Sequence, residues 1–392
     1  MVFADAPQQT IRSPVRMSLR EPAPLTFSAD PPIGRGSRHV KERAGRLQSG
    51  GDAMNFRSDT AAPAHPAILE AVMAANEGCA SSYGADAWTG HMQEALTAAF
   101  GCELDVWLVS SGTAANALAL SVLCPPHGGV LCHREAHIER DERGAPEFFT
   151  GGAKLCLLPG RHGLIDLDAL SARLAANRPD FVHETPAHVL SLSNLTECGA
   201  AYTPAGIAER AGLAARAGLG VHLDGARLAN ALVSTGASPA DMTWRAGVDA
   251  LSFGATKNGA MGCEAVILFG PARERWRDLQ ARAKRAGHMP PKMRYLAAQM
   301  TAYLANGLWL TLARQANASA RELAALLTAS GAELAHPVDG NEVFVRLPEG
   351  VSDRLAASGA GFYPWLDGSW RFVCSWATQP SEIAALGAVL AR

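Results

Sequence analysis

The chain has 392 residues, of which 48% are apolar and 18% charged, and its formal net charge is −2. That length allows two domains around a large core. The near-neutral balance excludes a basic nucleic-acid or membrane-binding surface, and no run approaches the roughly 18 apolar residues of a membrane-crossing helix. The eight cysteines (Cys79, Cys102, Cys124, Cys132, Cys156, Cys198, Cys263 and Cys374) form no CxxC pair. They read as small hydrophobes of a reducing, cytoplasmic compartment, with neither a disulfide framework nor a metal site.

Residues 1–53 are rich in Pro and Arg and have no sustained apolar period. They lack the apolar stretch of a secretory signal, and Asp5, Glu21, Asp30, Glu42 and Asp52 argue against a transit peptide. This segment reads as a disordered extension, and Met54 opens the part expected to fold. A helix follows from 65 to 73, with Pro66 in its first turn. A loop at 81–86 leads into a second helix over 88–100. Short strands are expected at 106–109, 129–132, 154–158, 188–192, 220–223, 250–253 and 265–269. Several are apolar throughout, as in a mainly parallel sheet covered on both faces. Ala-rich segments at 113–123, 167–176 and 204–217 fit crossover helices. After Pro271 the pattern changes to helices at 273–285, 293–305 and 307–327, strands at 342–346 and 369–374, and a last helix at 381–390. The reading is an α/β large domain over 54–290, built on a seven-stranded mainly parallel sheet, with its N-terminal segment expected to pack on a smaller α+β domain over 291–392.

Three stretches carry chemistry. Val221-His222-Leu223-Asp224-Gly225-Ala226-Arg227 delivers a carboxylate to a strand tip. Ser252-Phe253-Gly254-Ala255-Thr256-Lys257-Asn258-Gly259 delivers a lysine into a turn of small residues. A Schiff-base lysine plus a carboxylate for a pyridinium nitrogen is the minimum equipment for pyridoxal phosphate (PLP). Upstream, Ser110-Ser111-Gly112-Thr113 joins a strand to a helix. Its unpaired N–H groups make either an anion cup or a plain N-cap. Asp224 has a capping alternative too. Arg227 either pairs with Asp224 or grips a substrate carboxylate. Arg371, apolar on both sides in its strand, must meet water or an anion.

Ser-Gly-Thr-Ala-Ala-Asn (111–116), His-Leu-Asp-Gly-Ala-Arg (222–227) and Ser-Phe-Gly-Ala-Thr-Lys-Asn-Gly (252–259), in this order, resemble the low-specificity L-threonine aldolase family. So do Phe56-Arg57-Ser58-Asp59-Thr60, Ser82-Tyr83-Gly84-Ala85-Asp86 and Glu135-Ala136-His137-Ile138. The resemblance runs from Met54 to the C-terminus. It implies the PLP-dependent transferase fold type I and retro-aldol cleavage of β-hydroxy-α-amino acids, from L-threonine and L-allo-threonine to phenylserine, into glycine and an aldehyde. It implies a homodimer or homotetramer with sites completed across a subunit interface.

The resemblance also implies residue roles. Lys257 would hold PLP, Asp224 would pair with its ring nitrogen, and Ser111, Gly112 and Thr113 would bind the phosphate. His137 would stack on the ring, with His133 as an alternative. Ser58, Arg227 and Arg371 would bind the substrate carboxylate. Tyr83 and Arg294 would reach a neighbouring subunit's site, Arg294 at the phosphate. His183 aligns loosely with a second family histidine and is a candidate base beside His137. One departure stands out. The family's Glu-Asn-Thr pattern is replaced by Ser193-Asn194-Leu195-Thr196-Glu197-Cys198-Gly199, close to the expected substrate pocket. The alternatives are another fold type I reaction, β-elimination or transamination, and a non-catalytic PLP-binding regulatory protein.

Overall fold

The computed structural model describes residues 54–391; the expected extension lies outside them. Seven strands form the larger sheet: β1 (Leu104–Val109), β2 (Gly129–His133), β3 (Lys154–Leu158), β4 (Ala187–Ser193), β5 (Gly220–Gly225), β6 (Ala250–Gly254) and β7 (Glu264–Phe269). Their order is β1-β7-β6-β5-β4-β2-β3. From β6 to β3 every pairing is parallel. Only β7 runs against its neighbours β1 and β6. All residues of β6 and β7 are buried, which is why these strands read as continuous apolar runs. The chain thus has the mainly parallel sheet expected from its sequence.

Helices start and stop where the sequence signals. Helix Ala87–Phe100 is capped by Asp86, which accepts the Thr89 N–H, and ends at the left-handed Gly101. Helices Leu167–Ala175 and Pro204–Arg216 open on Asp166 and Thr203 caps. The short helices His137–Arg140 and Ala145–Thr150 were not legible. Each spans less than two turns, too short for an apolar period.

A second, four-stranded antiparallel sheet contains β8 (Glu333–Leu334), β9 (Glu342–Arg346), β10 (Tyr363–Pro364) and β11 (Trp370–Val373), in the order β10-β11-β9-β8. It has its own core, in which Val343, Val345 and Phe372 join Leu323, Leu327, Ile383 and Leu386 from two helices. Met54 and Phe56 belong to this second core. The residues just after 290 do not: Met293, Ala297, Met300 and Tyr303 pack with the large sheet. Helix Leu308–Ala329 spans both, with Trp309 and Ala313 in the first core and Leu323 and Leu327 in the second.

All eight cysteines are free thiols. Five are buried, whereas Cys79 is exposed and Cys102 and Cys156 lie between. No helix among the described residues is long and apolar enough to cross a membrane. No cluster of three or more potential metal ligands occurs among them either.

Candidate active site

Strands β1, β2, β4, β5 and β6 all end at one edge of the large sheet, as their registers require. Ligands of open α/β sheets gather at this carboxyl edge. Asp224 lies near the end of β5 and faces Ser252 of β6 in register. Lys257 follows β6 in the turn Thr256–Asn258. The two exits run close together. A Cβ on Gly254 would lie 2.4 Å from the Ala226 carbonyl oxygen, so only glycine lets the chains leave the sheet side by side.

Asp224 is buried and held on both oxygens. Oδ2 accepts from Asn116 Nδ2 at 2.8 Å and Oδ1 from the Ala226 N–H at 3.0 Å. Burial pushes its carboxyl pKa up, but the nearby His137, Lys257 and the Ala226 N–H outweigh burial and hold it below the usual range. Lys257 likewise helps to lower Asp59. The ammonium therefore sits in the field of both carboxylates.

Helix Gly112–Leu123 begins at the end of β1 with Ser111 as its N-cap, Oγ accepting the Ala114 N–H at 3.2 Å. The capping reading of Ser111 therefore holds in this structure. It is compatible with the anion reading, since a cap satisfies one donor of several. The space above Gly112 is open, with no atom within 4 Å of where a Cβ would be. Asn116 extends from this helix to Asp224.

His137 opens the short helix after β2. Its backbone N–H donates to Glu197 Oε1 at 2.6 Å, and its Nδ1 lies 2.7 Å from Glu142 Oε1. Glu142 Oε1 also accepts from Asn116 Nδ2 at 2.8 Å. Burial lowers the His137 pKa, but the Glu142 hydrogen bond and the Asp224 charge raise it above the ordinary value overall. Burial raises the Glu142 carboxyl. Burial and the Asp224 charge push Glu197 up to about 7. Glu197 lies in the stretch that departs from the family pattern, and its Oε1 also accepts from Ser193 Oγ.

The guanidinium side is built differently. Arg227 does not pair with Asp224. Its Nε and Nη2 donate to the two oxygens of Asp59 at 2.8 and 3.1 Å, and Nη1 lies 3.5 Å from Glu342 Oε2. Ser58 caps the turn Asp59–Ala61, which packs against the turn carrying Lys257. Arg371 meets an anion, as its apolar strand requires, but that anion is Glu342: Nε donates to Oε1 at 3.0 Å, and Nη2 donates to the same oxygen. Its guanidinium lies against the rings of Tyr363 and Trp365, 5.3 and 5.2 Å from their centroids. Among the described residues Nη1 of Arg371 has no hydrogen-bond partner.

Three expected residues are not brought to this cluster within the chain. His183 is exposed in the loop before β4, packed on Phe181. It precedes the strand whose far end is at the site, a separation on the order of 20 Å for seven extended residues. As a base for its own chain's site it is withdrawn. Tyr83 is exposed, with its N–H donating to the Pro291 carbonyl and Lys284 over its ring. Arg294 donates to the Gly78 carbonyl. Both hold the 76–84 loop to the 291–295 segment. His133 is buried, with Nδ1 accepting the Glu135 N–H and Nε2 beside the Gly160 carbonyl, so His137 is the available ring.

A sheet of this topology, with a lysine and a carboxylate on adjacent strand exits and an open helix N-terminus beside them, defines the fold type I architecture of PLP-dependent enzymes. The beta-eliminating lyase family matches residues 55–349, and the chain belongs to that family. It is 38% identical over 333 residues to a low specificity L-threonine aldolase of Pseudomonas aeruginosa, covering 84% of this chain and 95% of that one. The yeast protein of the same name is 26% identical over 75% of this chain and 74% of its own. A threonine aldolase structure from Leishmania major superposes with a TM-score of 0.80 at 29% identity, over 86% of this chain and 98% of that one.

Proposed function

We propose that this chain cleaves L-threonine, L-allo-threonine and related β-hydroxy-α-amino acids, phenylserine among them, into glycine and an aldehyde, with PLP as cofactor. The observation that carries the reading is the pairing of Asp224 with Lys257 on adjacent strand exits, in a chain that matches a low specificity L-threonine aldolase along 95% of that relative.

The residues present fit PLP. Lys257 offers an amine, and Asp224 an ionised carboxylate for a protonated ring nitrogen. Ser111, Gly112 and Thr113 offer N–H and hydroxyl donors under open space for a phosphate. When bound, PLP supplies the electron sink that accepts the Cα–Cβ bonding pair. The chain does the rest. Asp224 keeps the ring-nitrogen proton in place. Arg371 presents Nη1 to the substrate carboxylate, and its contacts with Glu342, Tyr363 and Trp365 hold the guanidinium in place. Ser58 and Arg227 complete that corner. His137 Nε2 takes the β-hydroxyl proton, and Lys257 Nζ returns a proton to Cα. One carbon–carbon bond breaks, and the proton held by His137 returns to Lys257 through solvent, so the net transfer is one proton from oxygen to carbon and the products are glycine and the aldehyde.

Two further readings belong to this proposal. The enzyme acts as a cytoplasmic homodimer or homotetramer, in which Tyr83 and Arg294 face a neighbouring copy. Its large and small domains meet near residue 290 in sequence, while the packing break falls inside helix Leu308–Ala329. Incubation of the chain with PLP and L-threonine tests the function. Glycine plus acetaldehyde supports it. 2-Oxobutanoate and ammonia would indicate β-elimination instead, and no turnover of any β-hydroxy amino acid a non-catalytic binder.

A further inference from the structure

Glu142 has no role in the reading so far, yet its side chain is fully shielded from solvent. Its Oε1 lies within hydrogen-bond distance of Asn116 Nδ2 and His137 Nδ1, and its Oε2 is buried with no partner. The orientation of Asn116 settles the polarity of this network. Its Nδ2 reaches Glu142 Oε1 and Asp224 Oδ2, both at 2.8 Å, while its Oδ1 is unpaired. The opposite amide orientation would aim an oxygen at two carboxylates. So Nδ2 spends one hydrogen on each, and Oε1 of Glu142 is an acceptor. With Glu142 ionised, the group facing Oε1 at 2.7 Å, His137 Nδ1, donates.

We propose that Glu142 is a positioning residue: it fixes His137 as the Nδ1–H tautomer, and through the shared amide of Asn116 it ties that histidine to Asp224. This inference rests on the aldolase reading above only for the use made of the ring. With Nδ1 committed, Nε2 is the free lone pair; among the described residues it has no partner, and a third of the side chain is open to solvent. A carboxylate behind a histidine is a known way to orient the ring and raise its basicity. The groups that face His137 from all sides are Glu142 on the following loop, Asp224 on β5, Lys257 after β6 and Glu197 after β4, the last through the His137 backbone N–H. Of these only Glu142 touches a ring nitrogen. It raises the His137 pKa, as Asp224 does, and Lys257 lowers it.

The network also explains why Asn116 is an asparagine. Aspartate there would bring a third carboxylate between Glu142 and Asp224, and alanine would remove a donor from both. The amide bridges residues 26 positions away on one side and 108 on the other.

The test uses the full-length holoprotein labelled with 15N in its histidine rings, with the His137→Asn spectrum assigning the His137 signals. In the wild type, above the His137 pKa, the proposal requires the Nδ1–H tautomer; an Nε2–H tautomer overturns it without any variant. In Glu142→Gln the His137 pKa should fall by about one unit or more, the size expected for losing an opposite charge in contact. The acid limb of kcat/KM for glycine formation should move to lower pH by the same amount, because a weaker base stays neutral further into acid. If Glu142 only fills space, the variant loses thermal stability or PLP content while the ring pKa and the acid limb stay where they were, and the proposal is wrong. The tautomer is read independently of turnover. A wild type that makes no glycine yet shows Nδ1–H would therefore overturn the aldolase reading and leave this one standing.

Discussion

The cofactor corner and the guanidinium corner of this site hold charge in opposite ways. Around Asp224 the chain gathers three carboxylates (Asp224, Glu142 and Glu197) with one histidine and one lysine, and a neutral amide bridges Asp224 and Glu142. Burial, with the Asp224 charge behind it, pushes Glu142 and Glu197 up, while His137 and Lys257 hold Asp224 down against burial. At the other corner, Asp59, Arg227, Glu342 and Arg371 alternate in sign and neutralise one another. One corner is poised to exchange protons. The other is preset, and an incoming carboxylate must share an arginine that already has a partner.

Lys257→Ala is the most severe way to break the first corner. Glycine release should drop below detection, and the visible absorbance of the bound cofactor should vanish with it. Turnover that survives would remove Lys257 from its assigned role.

Arg371→Ala attacks the second corner, and two effects should separate. KM for L-threonine should rise on the order of 100-fold, as expected when a charged donor to a carboxylate is lost. The fold should also lose roughly 3 kcal/mol or more, because Glu342 is left buried beside an empty place. Adding Glu342→Ala should restore much of the stability, seen in urea midpoints, and none of the affinity. If both properties recover together, the carboxylate is not bound at Arg371.

A third test concerns acid sensitivity. His222 is buried between Ser191 and Ser252 and its pKa is lowered to about 4, chiefly by burial. A histidine depressed on folding contributes stability fully above its unfolded value near 6.5 and loses it as pH falls toward 4. That loss is on the order of 3 kcal/mol over the window, from the usual 1.4 kcal/mol per unit. Asp224 and Asp59, also depressed, act in the same direction below about pH 4. His222→Gln should flatten the pH 6.5 to 4 part of the profile; an unchanged slope there would assign the acid loss to the carboxylates alone.

The smallest effect is expected at Ser58. Ser58→Ala removes the cap of the Asp59–Ala61 turn, worth about 1 kcal/mol. KM should rise only a few-fold, since Arg227 and Arg371 remain. A rise as large as that of Arg371→Ala would make Ser58 the main carboxylate contact.

The two corners also differ in how far they could be read from the sequence. Asp224, Lys257 and Ser111 sit in contiguous motifs, where a strand, a small-residue turn and a helix start follow one another. Strand positions were legible for the same reason, as runs of apolar residues between glycines and prolines. The partners were not. Glu142 lies on a loop after a one-turn helix, with no periodicity to mark it. Asn116 stood in the sequence only as the last residue of the Ser-Gly-Thr-Ala-Ala-Asn stretch, and the fold brings it to Asp224. Glu342 and Arg371 are diagonal neighbours on antiparallel strands 29 residues apart, and nothing local announces that two charges in apolar strands will meet. The stretch at Ser193–Gly199 was legible only as a departure. The structure gives it content, since Glu197 accepts hydrogen bonds from both Ser193 and His137.

Met54 and Phe56 bear on where this chain can be cut. Gly361 donates to the Met54 carbonyl, Phe56 to that of Gly361, and Val373 to that of Phe56. The Phe56 ring packs on Phe372, which stacks on Phe362. The opening residues are therefore an added edge of the distant, C-terminal sheet, and two positions later the same segment supplies Ser58 and Asp59 to the site. An expression boundary placed at Arg57 would look harmless in the numbering, yet it would strip the small sheet of an aromatic neighbour and leave the Arg227 partner on a loose end. For recombinant work, a start at or before Met54 is the requirement.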